Sequence, residues 1–245
     1  MRLLSYNIHK GIGGLDRRYD LDRIAQVIEH ENPDLLCLQE VTRHARMSKG
    51  DDQPNLLRRF FAIPNYTFQM NVHYRVGGYG NLILSRWPIV SRHHISLRLG
   101  KRKPRGGQVV VIDSPEGQIC IAHWHLGLFA HERRWQTEHL LNHPLFRQSE
   151  SLPTIVVGDS NDWNNRLATG AFKENGFVQV TSPPSRFKSF PAIMPSLSVD
   201  KAFQRGLFIR ETKMVRTKLA HLASDHLPLL VDFHLHALGS KSVLS

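Results

Sequence analysis

Residues 2–40, RLLSYNIHKGIGGLDRRYDLDRIAQVIEHENPDLLCLQE, decide how the fold is read. Leu3–Ile8 and Asp34–Gln39 are short apolar runs bounded by turn residues, the pattern of strands. Between them Leu21, Ile24, Ala25 and Ile28 recur at i, i+3, i+4 and i+7, so one face of a helix is apolar. Asp20 suits the N-cap, and Asn32-Pro33 stops the helix before the second strand. The stretch is therefore expected to fold as strand, helix, strand.

Outward from it, further strands are expected at Asn81–Ser85, Gln108–Ile112, Ile119–Leu126, Thr154–Gly158, Ser198–Phe203 and Leu229–Leu235. A second helix is expected over Glu132–Leu141, where Trp135, His139 and Leu140 share a face. A third is expected near Arg166–Glu174, ended by Asn175-Gly176. Two segments read as exposed loops. One is Thr42–Asn55, with Arg43, His44, Arg46 and Lys49; the other is Arg98–Gly107, with Lys101, Arg102, Lys103 and Arg105. The second reads either as a solvated hairpin tip or as a loop that contacts phosphate. With no repeat, low-complexity segment or long linker, one mixed α/β domain over residues 1–245 is expected.

Composition narrows the function classes. The 245 residues are 41% hydrophobic and 22% charged, which excludes a disordered or fibrous chain. No apolar run approaches the roughly 18 residues that span a bilayer, and no small-residue cleavage site follows MRLLSYNIHKG. A cytoplasmic protein is expected, with Cys37 and Cys120 as buried free thiols. Lys and Arg number 32 against 21 Asp and Glu, a net charge of +11. That balance favours a polyanionic or phosphorylated substrate: nucleic acid, an anionic membrane surface or a phosphorylated small molecule. The alternative is a basic surface that serves only solubility. No protein partner is expected.

Several apolar runs end abruptly in residues that bind metals or move protons: LLSYN at Asn7, LLCLQ at Glu40, IVVG at Asp159 with Asn161 beyond, and IAHW at His125. ASDHLP places Asp225 and His226 just before another run. Each alone reads equally as a turn or surface residue. Together they read as one site built at strand ends, since polar groups beside buried strands are costly unless satisfied.

The segments YNIHKG, LLCLQE, GYGNLILSRWPI, AHWHLGL, GDSND, SVDKAF and SDHLP, in this order, resemble the endonuclease/exonuclease/phosphatase superfamily, from Tyr6 to Pro228. The resemblance implies a four-layer αββα sandwich, two packed mixed β-sheets flanked by helices, as in deoxyribonuclease I. It implies hydrolysis of a phosphoester by activated water, dependent on magnesium, with manganese able to substitute. By that resemblance Glu40 is the metal carboxylate, Asn7 supports it and the metal's water shell, and Asp225 either shares the metal or orients His226. Asp159 orients or deprotonates water, and Asn161 donates to a phosphoryl oxygen. His125 contacts the phosphate or protonates the leaving group. Asp200 holds a catalytic histidine. His226 is base or phosphate ligand, a choice the sequence leaves open. Asn81 is expected beside the site as support or as a substrate contact, and Arg102, Lys103 and Arg105 as substrate contacts. Some relatives carry Asp where this chain has His9, so one principal magnesium is expected. Ser160 replaces a common aromatic, and His123 is expected as a core histidine behind the site. The rival from another class is a catalytically silent basic binding module, against which the complete set of polar residues argues.

Overall fold

The computed structural model describes residues 1–235; the end of the expected 1–245 domain lies outside the described residues. Twelve strands form two six-stranded sheets. The first holds, edge to edge, Phe208–Met214 (β11), Leu229–His234 (β12), Arg2–Asn7 (β1), Leu35–Arg43 (β2), Gly78–Ser85 (β4) and Asn65–His73 (β3). The second holds Ile89–Ser96 (β5), Gly106–Ser114 (β6), Gly117–His125 (β7), Thr154–Asp159 (β8), Asp200–Arg205 (β10) and Val178–Gln179 (β9). β1 and β2 run parallel, as do β7 and β8, while the other neighbours are antiparallel. Each sheet thus centres on one parallel pair whose strands end side by side, Asn7 opposite Gln39 and His125 opposite Asp159.

Helices make the parallel connections, because parallel neighbours need a crossover. Leu21–Glu31 (α1) joins β1 to β2; Asp20 caps it by accepting from the Arg23 N–H, and Asn32 closes it in a left-handed conformation. Gln53–Phe60 (α2) follows β2. Ala130–Leu141 (α3) and Pro144–Arg147 (α4) join β7 to β8. Ala171–Glu174 (α5) and Lys218–Ala223 (α6) are short. The helix expected near Arg166–Glu174 is two separate turns, Leu167–Thr169 and α5, broken at Gly170.

Side-chain alternation in the second sheet divides two cores. Ile119, Ile121, Ile155, Val157 and Ala202 join the first sheet's side chains in the layer between the sheets. Their neighbours Cys120, Ala122, Trp124, Val156 and Phe203 lie with Leu140 of α3 and Phe172 of α5 in a second cluster. Following the first parity to the strand ends gives His123, His125, Asp159 and Asp200: the inter-sheet core turns polar at one end. Gly158 permits this ending, because its φ is +142° and a Cβ there would stand 2.1 Å from the Trp124 carbonyl oxygen.

All eight expected strands are present within a residue or two, except that β2, β4 and β6 run further. The four strands without a signal, β3, β5, β9 and β11, are the four sheet edges. The expected exposed loop at Thr42–Asn55 is a correction. β2 extends to Arg43, and Thr42, Ala45, Ser48 and Gln53 are fully buried, with Gln53 Oε1 accepting from the Thr42 N–H at 2.7 Å. Cys37 and Cys120 are buried and unpaired.

Phe203 is fully buried and stacks on Phe172 with ring centroids 3.8 Å apart. Phe203→Ala is expected to cost about 3–5 kcal/mol in urea unfolding, whereas Val178→Ala on the exposed edge should stay within about 0.5 kcal/mol.

Candidate active site

The site-end residues come from both sheets and meet at Asp159, which is 2% exposed at the end of β8. Its Oδ2 accepts from Asn7 Nδ2 at 3.0 Å and lies 3.3 Å from His125 Nε2 and 3.8 Å from His226 Nε2. Its Oδ1 accepts the Asn161 N–H at 3.0 Å. Asn161 takes a left-handed backbone, φ 50°, and its Nδ2 donates to the Leu126 carbonyl. Ser160 donates to the Val199 carbonyl at 2.6 Å, tying the turn below Asp159 to the start of β10. His226 is held from behind, its Nδ1 2.9 Å from Asp200 Oδ2, while Asp200 Oδ1 has no partner.

These contacts set the charges. Burial pushes the Asp159 carboxyl up, to about 6, against the pull of His226. Burial disfavours a charged His226, but Asp200 and Asp159 outweigh it and raise the imidazole to about 10. His125 goes the other way: burial, with Arg105 and His226 nearby, holds it well below the ordinary histidine value. The site therefore pairs a cationic histidine with a neutral one.

Glu40 lies within a β-bulge between Leu38 and Val41 and has φ 57°, so the extra residue re-aims its side chain out of the regular alternation. It forms an ion pair with Lys10, whose own φ is 64°. Burial raises the Glu40 pKa, but Lys10, Lys103 and Arg105 outweigh burial and leave it below the usual carboxylate value. Lys10 and Lys103 also face the Tyr79 ring, 5.0 and 5.4 Å from its centroid. Asp225 stands on the α6–β12 connection, its Oδ1 3.7 Å from His9 Nδ1.

Asn7, His125, Asp159, Asn161, Asp200 and His226 thus form one connected cluster. Glu40 and Asp225 are placed by separate partners, Lys10 and His9. Asn81 is buried and its Nδ2 donates to the Gly106 carbonyl at 3.0 Å, so it ties the two sheets together beside the site. The basic loop divides. Arg105 is buried with Nε unpartnered, Lys103 reaches Tyr79, and Arg102 turns away to lie over Phe129 and to bond His131 at 3.0 Å. Lys10 was not among the expected site residues; its only signal was a cation in the Gly-ended turn after Asn7. His123 is a core residue, between Gln39 Nε2 at 2.6 Å and Gln108 Oε1 at 3.1 Å.

Among the described residues, no three His, Cys, Asp or Glu side chains are grouped to hold a metal ion. The oxygen donors near the site are the Glu40 carboxylate, paired with Lys10, and Asn7 Oδ1, which also accepts the His9 N–H at 3.1 Å; both are hard oxygens. That set fits an ion bound through one or two carboxylates that keeps its own waters, as magnesium does, and does not fit a closed zinc-type cage.

Comparison with known proteins agrees with this geometry. The model of the Endonuclease/Exonuclease/phosphatase family matches residues 4–226. An uncharacterized Escherichia coli K12 protein, YbhP, is 26% identical over 249 residues, covering 96% of each chain. An endonuclease/exonuclease/phosphatase from Beutenbergia cavernae superposes with a TM-score of 0.82 at 21% identity, over 97% of this chain and 72% of that one. The human Nocturnin catalytic domain, solved with a bound sulfate anion, superposes with a TM-score of 0.72 at 23% identity, over 95% and 93%. At these identities the structural likenesses speak for the fold alone.

Two of the buried histidines, His123 and His226, should titrate on opposite sides of the ordinary histidine value. In 15N-edited histidine spectra His123 is expected to stay neutral until the pH approaches about 3, and His226 to stay doubly protonated until it approaches about 10. Asp200→Asn should bring the His226 transition down. Because the unfolded chain binds the proton that folded His123 refuses, this group's contribution to stability is present above about pH 6.5 and lost as pH falls toward 3.

Proposed function

Because the chain belongs to the endonuclease/exonuclease/phosphatase family, whose members are generally phosphoric ester hydrolases, we propose that it is a magnesium-dependent phosphodiesterase. One observation supports this most: a buried carboxylate, Asp159, whose Oδ2 is shared by an amide and two histidines in opposite charge states.

A general base works best when its pKa lies near the operating pH, and burial brings Asp159 to that range. Asp159 takes the proton of the attacking water, held in place by the Asn7 amide and the Asn161 backbone N–H. His226, kept cationic by Asp200, binds a phosphoryl oxygen and is not free to act as a base. His125, kept neutral, donates a hydrogen bond to phosphate and is a poor proton source for the leaving group. Asn161 uses one amide N–H on the Leu126 carbonyl, which leaves the second for a phosphoryl oxygen. Arg105, buried beside the site, adds positive charge where the phosphate sits. A magnesium ion held by Glu40, with Asn7 and Asp225 supporting its water shell, would neutralise charge on the phosphate and leaving oxygen as a Lewis acid.

Lys10 bears on that ion, because it pairs with the same carboxylate. It competes for Glu40 in the free protein and, once displaced, stands as a cation beside the phosphate.

Hydrolysis of bis-p-nitrophenyl phosphate should require magnesium and fall by about 10²–10⁴-fold in Asp159→Ala. Activity unchanged in that variant would overturn the assignment, and no hydrolysis by the wild type would favour the silent binding module. In calorimetric titration, Glu40→Gln should abolish magnesium binding. Lys10→Met should tighten it by roughly tenfold, the scale of losing one competing ion pair in a partly buried position. Equal affinity in wild type and Lys10→Met would show that Lys10 does not compete.

A further inference from the structure

The strand directions sort every connection to one end of the sandwich or the other. β1, β2, β7 and β8 all run toward Asn7, Glu40, His125 and Asp159, and their antiparallel neighbours start or finish there. The connections at the site end are therefore 8–20, 44–52, 74–77, 97–105, 126–129, 160–170, 180–199 and 215–228. Most of the exposed large apolar side chains of the described residues lie on these loops, Met194 at 75% and Val76 at 65% exposure being the most prominent. At the opposite end they are fewer: Phe60, Val178 and Phe208 adjoin its connections, and Val90 lies one residue further into β5.

Cations interleave with them. Leu15 is followed by Arg17, Arg75 precedes Val76, Trp163 is followed by Arg166, and Arg102 lies 4.2 Å over the Phe129 ring from the neighbouring loop. An exposed apolar residue flanked by Lys or Arg is the make-up of a segment that enters the headgroup boundary of an anionic bilayer, the apolar tip buried and the cation level with lipid phosphates. Several separate loops carrying this make-up on one end suit a flat partner better than a cylindrical one. The tips are more often aliphatic (Leu15, Val76, Leu128, Ile193 and Met194 among them) than aromatic (Tyr74, Phe129 and Trp163), whereas single-stranded nucleic acid binds chiefly by stacking its bases on rings.

We propose that the site end docks on an anionic lipid bilayer through these loop tips, and that the substrate is the phosphodiester of an anionic glycerophospholipid headgroup. The substrate half rests on the phosphodiesterase reading; the docking half does not. In the step implied, the water oxygen bonds to phosphorus as one phosphorus–oxygen ester bond breaks. Asp159 takes the water proton and passes it to solvent, and the departing alkoxide takes a proton from solvent water, so a phosphomonoester and an alcohol result. Docking brings the ester to Asp159 without the lipid leaving the membrane.

The test uses the full chain carrying Asp159→Asn, mixed with phosphatidylcholine vesicles with and without phosphatidylglycerol and recovered by flotation. Binding to the phosphatidylglycerol vesicles alone, weakened by salt, is expected. The double substitution Ile193→Ser with Met194→Ser should lower that binding by about tenfold or more, from the loss of two inserted side chains. Its thermal melting should stay at the parent value, since both side chains are exposed. Vesicle binding absent, or untouched by the double substitution, overturns docking. So does tighter binding to single-stranded DNA that the same substitutions weaken, which would assign the face to nucleic acid. With the wild type, vesicle binding together with release of glycerol or of glycerol phosphate from phosphatidylglycerol supports both halves. Hydrolysis of bis-p-nitrophenyl phosphate without vesicle binding overturns docking and leaves the phosphodiesterase reading standing. Vesicle binding with no hydrolysis of either ester supports docking and overturns the phosphodiesterase reading.

Discussion

A carboxylate held almost out of water at the mouth of an apolar layer is the constraint around which the rest of this structure is arranged. Asp159 is 2% exposed, and an isolated charge in that position would be costly. Each neighbour answers the cost in a different way: Asn7 and the Asn161 N–H donate hydrogen bonds, and His226 brings a positive charge. His226 needs support of its own, since burial disfavours its charge, and Asp200 on the neighbouring strand supplies it. The chain of polar contacts runs from β1 through β8 to β10 and the α6–β12 connection, so both sheets must be in register for it to close. Asn81 and the Gln39–His123–Gln108 bridge fix that register by hydrogen bonds between the sheets.

Two parallel strand pairs make this possible. In a parallel pair both strands end at the same edge, so one crossover in each sheet delivers two polar side chains side by side. The bulge at Glu40 and the left-handed backbone at Asn161 then lift the last residues out of the alternating pattern and aim them at the mouth. Positive charge collects here as well. Lys10, Lys103 and Arg105 act together on Glu40, and Arg105 also acts on His125 and Asp159. These cations, together with the charged His226, favour an anionic ligand at the mouth.

What could be read from the residues alone was whatever the local pattern encodes. Eight strands announced themselves because each is covered on both faces, which demands a nearly continuous apolar run. α1 was legible from its period and its Asp20 cap. Asn7, Glu40, His125, Asp159, Asn161, Asp225 and His226 were legible as polar residues at the ends of such runs, Asp200 only through the resemblance, and the order of the motifs carried the family.

Only the folded chain decided the remainder, because those features depend on partners distant in sequence. β3, β5, β9 and β11 have a hydrogen-bonded neighbour on one side only and much exposed surface, so their sequences, such as IVSRHHIS in β5, lack the apolar run. Thr42–Asn55 has the composition of a solvated loop, but Gln53 holds the Thr42 backbone from inside. Lys10 and Glu40 are 30 residues apart, and their pairing exists only because two left-handed turns bring their side chains together. The opposite charge states of His125 and His226 are likewise absent from the sequence. Both are buried histidines at the site, and what separates them is that one has Asp200 behind it and the other has Arg105 nearby.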